Sequence, residues 1–108
     1  MKVKEKYYNL LKSGQKTIEL RLFDEKRQKI RIGDEIVFSN LDHEDDTFSA
    51  HVIHLYRARD FQSLCRQISP QKAGFETSEE LVTVMQKFYP SADQEKYGVL
   101  GIEIKRKI

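Results

Sequence analysis

Apolar positions recur along this chain in two rhythms. Tyr7, Leu10 and Leu11 stand at i, i+3 and i+4 within Lys6–Ser13, which predicts a short helix, and Gly14 is its natural stop. Thr17–Leu22 then alternates, with Ile18, Leu20 and Leu22 on one side and Thr17, Glu19 and Arg21 on the other. That predicts a strand with one buried and one wet face. Residues 23–29 read as a charged loop, and Ile30 and Ile32 lead to a Gly33-Asp34 turn. Strands follow at Glu35–Ser39 and Thr47–Tyr56, separated by an acidic, turn-like stretch at Asn40–Asp46.

The rhythm changes after Asp60. Phe61, Leu64, Cys65 and Ile68 fall on one face of a helix that Asp60 can cap. Pro70–Phe75 reads as a loop. Thr77-Ser78-Glu79-Glu80 has the form of a capping box before a helix that buries Leu81, Val84, Met85 and Phe88. Val99–Lys105 alternates again and closes the chain as a strand. Helix, three strands, two helices and a strand do not alternate as a parallel α/β fold does. The expected fold is α+β, with a small curved sheet or barrel flanked by short helices.

Composition narrows the class. One domain over residues 1–108 is expected from the length, and 39% hydrophobic residues spread along the chain argue against disorder. No apolar run reaches the ~20 residues of a membrane span, and the N-terminus has no apolar signal segment. The single cysteine, Cys65, leaves no internal disulfide and no cysteine-based zinc cluster, so a cytoplasmic, reducing setting is expected. Net charge is only +2, but it is unevenly placed. Residues 1–38 hold 10 basic and 6 acidic residues, and the remainder holds 9 and 11. A basic segment in a near-neutral chain suits a local anionic ligand.

Most candidate chemistry falls away on inspection. His51 and His54 are three apart on a strand, which places them on opposite faces, unable to chelate one metal together. The acidic loop around His43 lacks the glycine and terminal glutamate of a calcium loop, so no metal and no cofactor are expected. Cys65 on an apolar helix face reads as a buried thiol. The chain carries no G-x-S-x-G, Walker, G-x-G-x-x-G or H-E-x-x-H pattern.

What remains is Gly14-Gln15-Lys16-Thr17-Ile18-Glu19-Leu20-Arg21. Glu19 and Arg21 share one strand face, and Lys16 at the helix–strand junction can reach the same side. Lys and Arg can hold a phosphate, Arg in bidentate fashion. Glu19 can accept hydrogen bonds, orient Lys16 or act as a base. The plainer alternative is an exposed salt-bridge ladder, worth ~0–1 kcal/mol per pair.

This segment, with Asp24, Lys26, Arg27, Ile30, Gly33, Asp34, Ile36 and Phe38 downstream, resembles the signature of the ASCH family, the activating signal cointegrator 1 homology domain. Phe88-Tyr89-Pro90 and Tyr97-Gly98-Val99 resemble the family's tail. The resemblance implies a PUA-like mixed β-barrel with Lys16, Glu19 and Arg21 lining a cleft at its mouth. It also implies RNA or a nucleotide or nucleoside as ligand. Lys26 and Arg27 extend the basic arc, and Phe23, Phe75 or Tyr97 are candidates to stack bases. Some bacterial members deacetylate N4-acetylcytidine, using the Lys, a Thr three positions on and a downstream Glu. This chain keeps Lys16 but has Glu19 in place of that Thr, and Gly74 and Phe75 stand near the downstream position, with Glu76 slightly displaced. The expected function is therefore an RNA- or nucleotide-binding module. The alternatives are a small hydrolase working through Lys16 and Glu19, and a protein-interaction domain.

Overall fold

A computed structural model describes residues 1–107. The elements are β1 (Lys2–Val3), α1 (Glu5–Ser13), β2 (Ile18–Leu22), β3 (Glu35–Asn40), β4 (His43–Ala58), α2 (Phe61–Leu64), α3 (Ser78–Phe88), α4 (Ser91–Tyr97) and β5 (Val99–Arg106), with 3-10 turns at Arg27–Lys29 and Pro70–Ala73. The strands form one curved, half-barrel sheet in the order β1-β3-β4-β5-β2. Only the β1–β3 pair is parallel. The mixed α+β architecture with short flanking helices is the one expected from the sequence.

The sheet carries apolar residues on both faces. On the inner face Phe38, Phe48, Ala50, Val52, Leu100, Ile102 and Ile104 pack with Val3, Tyr8 and Leu11 from the β1–α1 segment. On the outer face Ile18, Leu20 and Val99 pack beneath Phe61, Leu64, Leu81 and Met85 of the helical layer. Local signals set the helix ends. Gly14 takes φ +86° to end α1, the Thr77 hydroxyl accepts the Glu80 N–H at 3.1 Å, and the Asp60 carboxylate accepts the Ser63 N–H at 2.7 Å.

Several expectations are corrected. β4 starts at His43, because pairing with β3 carries the acidic stretch into the sheet, with a register shift at Ser39/Asn40. The helix after Asp60 ends at Leu64, and the chain keeps turning so that Ile68 is still buried. The 70–75 segment is a 3-10 turn closed by Gly74. β1 and α4 have no apolar rhythm of their own, and the sequence reading passes over them.

One correction changes the site. Register along β4 slips between Val52 and His54, so Ile53 is an extra, bulged residue. Before the bulge Phe48, Ala50 and Val52 face inward; after it Leu55, opposite Ile102, faces inward. His51 opposite Lys105 and His54 opposite Glu103 therefore share the outer face, contrary to simple alternation. No cluster of three or more candidate metal ligands occurs among the described residues.

Candidate functional site

β1 and β2 are the two edges of the curved sheet, and curvature brings them together. The Arg21 guanidinium spans the seam, its Nη2 donating to the Lys2 carbonyl at 2.7 Å. Glu19 and Arg21 stand opposite Ile102 and Leu100, on the inner face of the sheet. The expectation that this face of β2 is wet does not hold. Glu19 is 4% exposed, because the β1–α1 segment closes over it.

Lys16 reaches the same point from the other side. Two backbone bonds fix its turn: Lys16 N–H to the Leu10 carbonyl at 3.0 Å and Thr17 N–H to the Lys72 carbonyl at 2.8 Å. The Lys16 side chain is as buried as Glu19. Its ammonium lies 2.9 Å from Glu19 Oε1 and 4.7 Å above the Tyr7 ring. The other oxygen, Oε2, accepts from Arg21 Nε at 3.0 Å and Nη2 at 2.9 Å. Burial alone would push the Glu19 carboxyl up, but the two cations and their hydrogen bonds outweigh it and hold it below the usual carboxylate range. Two cations surround one anion, so the cluster is positive by one charge. Arg21 Nη1 makes no hydrogen bond among the described residues and is available to an incoming acceptor.

These groups form the wall of a cleft of about 200 Å3. Its other walls are aromatic and apolar: Tyr7, Phe75, Phe88 and Tyr89, with Leu41 at the far side. Phe88 and Leu41 are exposed, and the Lys4 ammonium sits 4.6 Å over the Phe88 ring. A larger groove, of about 890 Å3, lies at the ends of β4 and β5 against α4. The smaller cleft is the better candidate because the buried charges converge there.

The remaining sequence candidates divide. Lys26 and Arg27 do not line the cleft. Both act with Arg21 on the Met1 amino group, so they form a basic flank to one side. Arg27 is tied back to Asp24 at 3.3 Å. Phe75 is buried in the cleft wall, whereas Phe23 and Tyr97 belong to the larger groove. Cys65 is half-buried, and burial pushes its thiol pKa up, away from nucleophilic use. Tyr7 and Phe88 also line the cleft, although their helical spacing marks them only as core.

Gly74 supports the cluster from behind. It holds φ +90°, and a Cβ there would sit 3.2 Å from Lys16 Cδ. Gly74→Ala is expected to cost about 1–3 kcal/mol through backbone strain and to displace the lysine stem. A melting temperature equal to wild type would contradict this.

Comparison with known proteins agrees with this fold. The family model described as ASCH domain matches residues 1–107. The crystal structure of a hypothetical protein, PH0355, is 33% identical with a TM-score of 0.83, covering 99% of this chain and 100% of that one. The solution structure of protein PF0455 from Pyrococcus furiosus is 29% identical with a TM-score of 0.70, covering 98% and 97%. No curated protein matches the sequence.

Proposed function

Given that the chain belongs to the ASCH domain family, we propose that it binds RNA or a nucleotide-like ligand in the cleft formed by Lys16, Glu19 and Arg21. The observation that carries this reading is the excess positive charge held beside aromatic walls. A buried Lys–Glu–Arg cluster with one uncompensated cation favours an anion, and Arg21 Nη1 is the donor left to meet it. Phe88 at the rim offers a ring on which a base can stack. The roughly 200 Å3 of space suits one base and its sugar rather than a duplex. Glu19 orients both cations; Lys26 and Arg27 add a flanking attraction for phosphates.

No observation favours hydrolysis. Burial raises the Glu19 carboxyl, but Lys16 and Arg21 outweigh it and hold it below the usual carboxylate range, which makes Glu19 a weak general base.

The test is filter binding of single-stranded RNA between 50 and 200 mM salt. Wild type should bind less tightly as salt rises, with a slope of about −0.7 per phosphate contacted. Arg21→Ala should weaken binding about tenfold and flatten the slope by about one contact. Equal affinity and slope in the two proteins, both folded by thermal melt, would overturn the proposal.

A further inference from the structure

Arg57 is a strongly placed cation that the cleft does not use. The bulge at Ile53 reverses side-chain parity along β4, and so turns Arg57 to the inner face. There it stands opposite Leu100, which in turn stands opposite Arg21. The two arginines therefore occupy one cross-strand row with a buried leucine between them. Two strand spacings put their backbones about 10 Å apart. The Arg57 guanidinium lies over the Phe23 ring, 3.9 Å from its centroid. Phe23 is itself backed by the inner core. Arg57 is exposed where it rests on the ring, and it forms no ion pair among the described residues. It lines the 890 Å3 groove together with Tyr97, Glu95 and Arg59, and Arg59 pairs with Asp60 of the same lining at 3.8 Å, which leaves Arg57 as the cation without an acidic partner there.

We infer that Arg57, supported by Phe23, is a second nucleotide subsite, and that the ligand is a single-stranded oligonucleotide running over the surface from Arg21 to Arg57 and into this groove. The inference rests on the RNA-binding reading of the Lys16–Glu19–Arg21 cleft and extends it. A guanidinium plane held on an aromatic ring is a platform for an unstacked base, and its N–H edge can meet a phosphate at the same time. An unpaired Arg so placed loses little side-chain freedom on binding. A backbone separation of about 10 Å corresponds to roughly three stacked steps of a strand, so a tetranucleotide is the shorter RNA probe expected to reach both subsites.

The experiment is fluorescence anisotropy on wild type, Arg57→Ala, Arg57→Lys and Arg21→Ala. The probes are a labelled uridine monophosphate and labelled single-stranded RNAs of four and eight nucleotides. Wild type should gain at least about tenfold in affinity from one to four nucleotides. Arg57→Ala should abolish that gain and leave the mononucleotide affinity unchanged. Arg57→Lys should recover little, because it restores the charge without the plane. Arg21→Ala should weaken every probe. A length gain that survives in Arg57→Ala, or that Arg57→Lys restores in full, would overturn the second subsite while leaving the cleft intact. Failure of wild type to bind any probe would overturn the RNA reading and this inference with it.

Discussion

Glu19→Gln is expected to remove about 3–5 kcal/mol of folding stability, although the change is nearly isosteric. The substitution leaves the Lys16 ammonium, 4% exposed, without the carboxylate 2.9 Å away that neutralises it. Arg21 loses its two charge-assisted bonds at the same time and keeps only the Lys2 carbonyl. In a domain of this size each kcal/mol shifts the melting temperature by about 4–8 °C, so a fall on the order of 15–30 °C is expected. The pH dependence gives the effect a signature. The folded-state pKa of Glu19 lies below its ordinary value of 4.5, so its contribution is fully present above pH 4.5 and is lost as pH falls through the lower folded value. The stability gap between wild type and Glu19→Gln should therefore be constant near neutrality and narrow below about pH 4.5. A gap of less than 1 kcal/mol at pH 7, measured by urea unfolding, would show the cluster to be solvent-screened.

The double substitution Lys16→Met/Glu19→Leu should return most of that stability. Buried ion pairs carry a desolvation cost that their attraction offsets only with good geometry, and apolar replacements of similar volume are often neutral or stabilising by about 1–4 kcal/mol. The surroundings can accept them: Tyr7, Phe75 and Met85 already line the cleft. Arg21 is the least buried member of the cluster and retains its bond across the seam to Lys2. The double variant is thus expected within about 1–2 kcal/mol of wild type, far above Glu19→Gln. A double variant as unstable as the single one would mean that the seam depends on the charges themselves. The charges would then be explained by folding alone.

The strands and the long helix were legible because each buries a face at its own period. Ile18, Leu20 and Leu22 read as one face of β2, and Leu81, Val84 and Met85 as one stripe of α3, before any contact was known. The motif Lys16, Glu19 and Arg21 was legible as a spacing, and the structure brings the three together within ion-pair distance. Burial of Glu19 was not legible. It depends on two sheet edges meeting at a seam, and β1, only two residues long, becomes a strand through pairing with Ser39 and Asn40. Helix α4 was missed for a related reason. Its sequence has no apolar stripe, and Gln94 anchors it by accepting from Phe61 N–H and donating to the Tyr89 carbonyl. The bulge at Ile53 was invisible because an apolar residue fits either face of a strand. It nonetheless decides where His51, His54 and Arg57 point.

If the cluster were structural, restoring stability without the Lys16–Glu19 pair would restore the protein whole. If it is a ligand site, stability and binding must separate. The direct measurement is the single-stranded RNA affinity of Lys16→Met/Glu19→Leu, taken by filter binding at 50 mM salt on protein shown by urea unfolding to be folded. The expected result is a variant about as stable as wild type whose affinity has fallen by at least about tenfold: the net charge of the site is unchanged, but Arg21 has lost the carboxylate that aims it into the cleft and the ligand has lost the Lys16 ammonium. A stable double variant that binds RNA as tightly as wild type would contradict the assignment of the cleft.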